Sequence, residues 1–247
     1  TATALTGSAI KIGQISTNYG QVYIDEVKIY PYARSASQVL ADSNSVSGSS
    51  GSAAVLGSAD QKFLSQGLVG YWKMDEASWT NNCSTTSVID SSGNGNNGTA
   101  CPATTGPTGG VSGKFGNAGS FDGSNDYIRV ADANSLDVTQ FTLSAWVKTS
   151  ATNDYSGIID KLNDTDNTGY GLIFNTSGGV RSDIGNGSTY VTAFSTTNVE
   201  DNNWHLITST YDGSKIIIFV DGVAGNTSPS GTGFSVANTK AIDIGHE

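Results

Sequence analysis

At 247 residues the chain is long enough for one large β-sandwich or two smaller domains, each with a proper core. It carries 31 Gly but only 4 Pro and 1 Met and is rich in Ser, Thr and Asn, a mix that favours many short strands and turns with little helix. Charged residues make up only 14% and the net charge is -10, which disfavours a nucleic-acid partner, because nothing would neutralise phosphates, and is compatible with cation binding or simply with solubility.

Taken in order, the chain first offers Ala9-Ile10-Lys11-Ile12-Gly13 and then Tyr19–Tyr30, YGQVYIDEVKIY. The second stretch alternates. Val22, Ile24, Glu26, Lys28 and Tyr30 fall on one face and Tyr23, Asp25, Val27 and Ile29 on the other, so both faces are expected to be partly buried. Ser35-x-x-Gln38 is a capping-box pattern that predicts a short helical turn. Residues 46–66 are a Ser/Gly/Ala-rich stretch and read as a flexible linker. Strand patterns resume at Gly67-Leu68-Val69-Gly70-Tyr71-Trp72 and again at Phe141–Lys148, where Phe141, Leu143, Ala145 and Val147 share a face. Further strands are expected around Gly157–Lys161, Tyr170–Asn175 and Tyr190–Phe194. A hairpin follows: Trp204–Tyr211 and Ile216–Val220 joined by Asp212-Gly213-Ser214-Lys215, with Gly supplying the positive φ of a tight turn. Ile-Ile-Ile-Phe-Val is apolar on both faces and belongs inside a sheet, and Asp221-Gly222 makes the next turn. The chain ends on Ala241-Ile242-Asp243-Ile244-Gly245-His246, which repeats its first strand.

The Trp-His strand, the Tyr-Asp-Gly turn, the aliphatic strand and the Val-Asp-Gly that ends it resemble laminin-G-like, concanavalin A-like jelly-roll domains. So do the opening strand Gly-Leu-Val-Gly-Tyr-Trp-Lys-Met-Asp-Glu from Gly67, the loop Asp90-Ser-Ser-Gly-Asn94, and Phe115–Ile128. The resemblance implies an all-β, two-sheet antiparallel sandwich. In that family, an Ile-Asp-Glu-Val-x-Ile-Tyr strand followed by a short helical turn closes the domain at its C-terminus, whereas here it stands at the N-terminus. The chain therefore reads as a tandem-repeat or permuted frame: residues 1–45 as closing strands, 46–66 as linker, and 67–247 as a jelly roll lacking its own last strand. An unfilled central slot would expose backbone donors and acceptors beside apolar core. The expectation is that Val22, Ile24, Val27 and Ile29 fill such a slot, either in their own chain or in a neighbouring copy.

Cys83 and Cys101 bracket the Asp90–Gly98 loop, and an even count in an extracellular-looking chain suggests a disulfide, the alternative being two reduced thiols. Calcium takes six to eight oxygen ligands. The loop around Asp90, Asn94 and Asn96 offers oxygens on a Gly-rich backbone, and the resemblance adds Asp25 and Asp75; the alternative is that these residues simply make turns. Trp79, Tyr155, Tyr170 and Tyr190 fall in or beside loops and are candidate glycan contacts, since rings stack on the apolar faces of sugars, whereas Trp72, Trp146 and Trp204 read as core. Asn-x-Ser/Thr sequons occur at Asn82, Asn97, Asn163, Asn175, Asn186 and Asn226.

Glycosidases of this fold need alternating carboxylates on one strand, and Glu occurs only at 26, 76, 200 and 247, never in that pattern. His205, beside Trp204, reads as a packed strand residue rather than a general base, and His246 is the only other histidine. No apolar run approaches the roughly 20 residues that span a bilayer, and no basic-then-apolar segment opens the sequence. The expectation is thus a non-enzymatic extracellular or cell-surface structural and adhesive repeat, assembling head-to-tail with copies of itself by strand completion. The alternative is a calcium-dependent carbohydrate-binding module.

Overall fold

The computed structural model of the protein describes residues 10–12, 14–15, 18–19, 21–44, 67–150, 155–163, 167–228 and 242–244. The expected linker 46–66 and His246 lie outside these. In chain order the elements are β1 (Ile10–Ile12), β2 (Gln14–Ile15), β3 (Asn18–Tyr19), β4 (Gln21–Tyr30), the helix α1 (Ala36–Ser43), β5 (Gly70–Trp72), β6 (Thr86–Val88), β7 (Gly98–Cys101), β8 (Thr108–Ser112), β9 (Asn117–Asp122) and β10 (Tyr127–Val130). There follow β11 (Phe141–Lys148), β12 (Gly157–Asp160), β13 (Tyr170–Phe174), β14 (Val180–Gly185), β15 (Tyr190–Ser195), β16 (Trp204–Tyr211), β17 (Ile216–Val220), β18 (Val223–Thr227) and β19 (Ile242–Ile244).

Two large sheets face each other. One runs β18-β17-β16-β11-β4-β9-β8, with β5 also paired to β4. The other runs β15-β14-β13-β12-β1-β19-β10-β7-β6, with β1 also paired directly to β10. Aliphatic and aromatic side chains of both sheets form one core, from Ile24, Val27, Trp72, Leu143, Val147 and Ile207 on one side to Ile12, Ile128, Ile159, Leu172 and Ile184 on the other. This is the expected all-β antiparallel sandwich.

The N-terminal strand β4 lies in the middle of its sheet. Along one edge it pairs antiparallel with β11, from Thr142↔Tyr30 to Lys148↔Tyr23. Along the other edge its first half pairs with β9 and its second half with β5. Both rows of backbone donors and acceptors are thereby used, as a buried strand requires. The strands that β4 pairs with here all belong to its own chain.

Strict alternation fails at one point. Glu26 has φ 53, and the register against β11 slips between Ser144 and Trp146, so β4 carries a β-bulge there. The extra residue shifts the parity of everything after it. Val22, Ile24, Val27 and Ile29 consequently all enter the core, where the unbroken pattern divides them between two faces. This corrects the expected face assignment: Lys28 and Tyr30 follow Tyr23 and Asp25 rather than Val22 and Ile24.

The chain leaves β4 into α1 through the expected capping box. Ser35 Oγ accepts from Gln38 N–H at 3.3 Å, and Ser35 N–H donates back to Gln38 Oε1 at 2.9 Å. The helix is two turns long rather than a single turn. Arg34, almost fully buried, ties it to the sheet: its N–H donates to Thr142 Oγ1, its guanidinium lies 4.6 Å over the Tyr30 ring, and Nη2 meets Asp42 Oδ1 at 3.0 Å. At the far end of the sheet the β16–β17 hairpin has the expected bounds, closed by Asp212 Oδ1 accepting the N–H groups of Ser214 and Lys215. The next turn places Asp221 and Gly222 at φ 51 and 77, a two-residue hairpin whose twist matches the strands it joins.

Burying a branched aliphatic side chain and then truncating it costs about 2–5 kcal/mol. Ile24→Ala, in β4, is therefore expected to lower stability by as much as Leu143→Ala in β11, measured by urea unfolding. An unchanged midpoint would show that the N-terminal strand is an appendage.

Candidate functional site

The most developed site is the slot that β4 fills and the turn that covers its outer side. Asp25, fully buried, sits opposite Trp146 on the face away from the core. Its Oδ2 accepts the Phe115 N–H at 2.9 Å, while Oδ1 has no hydrogen-bond partner. Asp75 grips the same turn from the other side: Oδ1 accepts the Asn117 N–H at 3.0 Å and its carbonyl accepts from Asn117 Nδ2 at 2.9 Å. The turn folds over Trp146, with Phe115 edge-on to the indole at 5.8 Å and the Lys114 ammonium 4.3 Å above it. Burial pushes the Asp25 carboxyl up to about 7; the Phe115 N–H opposes this, and the nearby charges of Glu26 and Asp75 reinforce it.

Asp25 and Asp75 thus meet at one turn, whereas Asp90, Asn94 and Asn96 belong to a separate network. Asp90 Oδ1 accepts from the N–H groups of Tyr71 and Ser92, and Oδ2 from Ser92 Oγ and Asn96 N–H. Asn94 Nδ2 donates to the Leu68 carbonyl, and Asn96 Nδ2 to the Val69 carbonyl. The Trp72 indole in turn donates to the Asn96 carbonyl at 2.7 Å. These side chains tie the loop to the sandwich, the turn-making role weighed for them. Among the described residues, no group of three or more His, Cys, Asp and Glu is placed to hold a metal ion.

The four aromatic residues read as glycan contacts separate. Tyr170 is a core residue on β13, fully buried and donating to the Leu136 carbonyl, so its ring cannot meet a ligand. Trp79 packs edge-on against Phe121 and lies over Gly109 and Gly119, where a Cβ at either position would run into the indole. It too is committed to packing. Tyr190 rests against Leu162 and Ile173 on the outer face of the sheet. Tyr155 is exposed there, under the Arg181 guanidinium at 4.5 Å.

The sequence reading passed over β14, although it brings the polar residues of this face together. Arg181 stands opposite both Ile173 and the exposed Phe194, and meets Asp183 at 3.0 Å. Thr192 Oγ1 donates to Asp183 Oδ1 at 2.6 Å. The available signal was the alternation of Val180, Ser182 and Ile184 with Arg181 and Asp183; a buried serine disguised it. Ser182 points inward, donating to the Gly171 carbonyl and accepting from Ser209 of the opposite sheet at 2.7 Å.

Cys83 and Cys101 form the disulfide. Of the sequon residues, Asn82, Asn97, Asn186 and Asn226 are exposed and Asn163 and Asn175 half-buried. The carboxylates are structurally engaged: Glu26 accepts from the Tyr71 hydroxyl and pairs with Lys28 at 3.0 Å, and Glu76 accepts the Ile89 N–H.

His205 is a clamp rather than a simple packed residue. Nδ1 lies 2.7 Å from Asp221 Oδ2 and Nε2 3.0 Å from Asp201 Oδ1, joining the loop before β16 to the turn after β17. Burial works against the charged ring, but the two carboxylates outweigh it and raise its pKa. A raised pKa stabilises the fold fully below the unfolded value of about 6.5, and that contribution fades as pH rises through the folded value. The melting-temperature gap between wild type and His205→Gln is therefore expected to be widest at pH 6 and to shrink by pH 8.5. A gap independent of pH would mean that the ring holds its partners as a neutral donor.

A laminin-G family model, described as the concanavalin A-like lectin/glucanases superfamily, matches residues 122–247. No curated protein and no solved structure matches the chain. The matched region starts at the last residue of β9 and holds the Trp-His hairpin, the strands that flank β1, and β11 on one edge of β4; β9 and β5 on the other edge of β4 precede it, apart from Asp122. With this match and the two-sheet sandwich, the chain belongs to the laminin-G-like branch of the concanavalin A-like lectin/glucanase superfamily, whose domains serve as carbohydrate-binding or adhesive modules.

Proposed function

We propose that the protein is a non-catalytic structural and adhesive repeat of the extracellular space or cell surface, in which terminal strands close the sandwich and link copies or adjacent repeats. The observation that carries this reading is β4. A segment that precedes the whole matched region supplies the central strand of a sheet and four core side chains. A strand that arrives from outside the domain it completes can arrive equally from another chain, which is the physical basis of strand donation. The disulfide accords with an oxidising compartment. The absence of catalysis rests on the sequence spacing of the carboxylates and on the engagement of Glu26 and Glu76 in structural bonds.

Residues 1–45 and 67–247, co-expressed as separate chains, are expected to co-purify as a soluble complex that melts cooperatively, while 67–247 alone aggregates. A soluble 67–247 that refuses the N-terminal fragment would defeat the reading.

Carbohydrate binding is a second reading, favoured by the exposed rings of Tyr155 and Phe194 beside Arg181, Asp183 and Thr192. Aromatic faces with a few fixed polar groups suit a sugar ring. Glycan-array binding by wild type that is lost in both Phe194→Ala and Arg181→Ala would support it; binding untouched by either would move the site elsewhere.

Calcium, in this reading, sits at Asp25 and Asp75. Asp25 Oδ1 is buried without a partner, and a carboxylate held up to about 7 accepts either a proton or a cation. Calcium is expected to raise the melting temperature of wild type and to leave Asp25→Asn unmoved. A wild type indifferent to both calcium and EDTA would leave Asp25 a protonated clamp on the 113–117 turn.

A further inference from the structure

The two copies of the Ala-Ile-x-Ile-Gly sequence end on the same piece of backbone. Strand β1 pairs antiparallel with β10 as Ile10↔Val130, Lys11↔Arg129 and Ile12↔Ile128. Strand β19 pairs antiparallel with the same residues: Ile242↔Val130, Asp243↔Arg129 and Ile244↔Ile128. The direction and register are identical, residue for residue. The other edge of β10 is turned to β7, through Tyr127↔Cys101. One edge of a strand has one row of donors and acceptors, and a ladder uses that row once. The two segments also meet each other in parallel at Ile10↔Asp243, both crowded against the same edge of β10, so they can use that one row only as alternative occupants of a single slot.

We infer that the slot between β10 and β12 is an exchange site, and that its second occupant is the Ile242–Ile244 strand of another copy of this chain. The inference rests on the strand-completion reading above and names the strand and the acceptor. Three features favour it. First, Ile10 and Ile12 are fully buried in the core, and the incoming strand brings isoleucine at both register positions, so the swap conserves the packed volume.

Second, the charges balance. Lys11 stands between Arg129 and Asp160 in the ladder, one like and one opposite charge. The register sets Asp243 opposite Arg129, so a replacement strand in the β1 position would likewise face one opposite charge, Arg129, and one like charge, Asp160. Opposite-charge pairs across a sheet stabilise it and like-charge pairs destabilise it by similar amounts, so neither occupant holds a decisive electrostatic advantage. Third, β1 offers only three residues of ladder, against the ten of β4. It is the middle strand of its sheet, so its place must be refilled when it leaves, yet it is the closing strand with the least ladder to break. Exchange of one such strand is head-to-tail: the donor's own slot stays available, and the contact propagates unless a rotation closes the ring.

Directly opposed residues of an antiparallel ladder lie close enough for a disulfide. Two full-length double variants follow, each keeping the native Cys83–Cys101 pair: Lys11→Cys with Arg129→Cys, and Arg129→Cys with Asp243→Cys. Oxidised at high protein concentration, the second is expected to give covalent dimers and a ladder of higher species, with the 129–243 peptide pair identified by mass spectrometry. The first is expected to give a cross-linked monomer that no longer joins the concentration-dependent oligomers formed by wild type in light scattering.

Should either variant fail to fold, a labelled peptide of residues 238–247 added to unmodified protein provides the same reading. Saturable binding that a scrambled peptide lacks supports the slot. Cross-links confined within single chains, a wild type monomeric at every concentration, or a peptide that does not bind overturns it. Complementation by residues 1–45 tests β4 separately, so success there with failure here would remove exchange at β10 and leave the wider reading standing.

Discussion

A central β-strand has no spare surface: both backbone edges must be paired and both faces must be covered. Strand β4 meets that demand from a position early in the chain. β11 holds one edge, β9 and β5 divide the other, the core covers one face, and the 113–117 turn covers part of the opposite one. Its partners in β11 lie more than a hundred residues later, so the central pairing of the sheet is also among its least local. Such contacts have to overcome a large loop-closure entropy before they stabilise anything. The sandwich is closed by a segment whose seat is built from sequence far away, a pairing of high loop-closure cost.

The interior is polar in a specific way. With few charged residues to spare, the chain joins its layers by hydroxyls: Ser182 to Ser209 across the two sheets, and Ser144 to Thr208 between neighbouring strands. Thr142 accepts from the Arg34 N–H and donates to the Tyr32 carbonyl, so one threonine anchors the passage from β4 to the helix. A hydroxyl is cheap to bury when both its donor and its acceptor roles are filled. Lys161, like Arg34, is a buried charge instead. Fully buried, it meets Asp132 at 2.9 Å and Asp137 at 3.2 Å, beside the Tyr170 hydroxyl that is fixed to Leu136. Burying that ammonium is favourable only with its carboxylates in place, so the pair fixes the packing of β12 against the Asn134–Leu136 turn more than it adds net stability.

What could be read from residues alone follows the same physics. The hairpin at Trp204–Val220 was legible to the residue because apolar periodicity and Asp-Gly turn chemistry both specify it locally. The capping box at Ser35 and Gln38 was legible for the same reason. The bulge at Glu26 was not, since a single left-handed residue leaves no mark in an alternation pattern, and it reverses the faces of all that follows. Tyr170 was misplaced because its flanks, Asn167-Thr168-Gly169, look like a loop, whereas the ring is captured by Phe141 and the core. The Asp and Asn residues were recognisable as oxygen donors, but which of them converge depends on the long-range seating of β4, which brings Asp25 to Asp75 and leaves Asp90 with its own loop.

The strand order would let the proposed strand exchange and the proposed sugar-binding face coexist. Tyr155, Arg181, Asp183, Thr192 and Phe194 cluster around β14 and β15, at one end of the nine-stranded sheet. The slot at β1 lies inward of them, separated by β12 and β13. A replacement strand that keeps the same register and the same two isoleucines leaves the twist and spacing of β12 unchanged, and with them the positions of Arg181 and Phe194. Had the second segment paired with β10 one residue out of step, every side chain it carries would have turned to the opposite face, and the core beneath would have been lost. Identity of register is what would allow one closing strand to stand in for another while the outer face stays as it is.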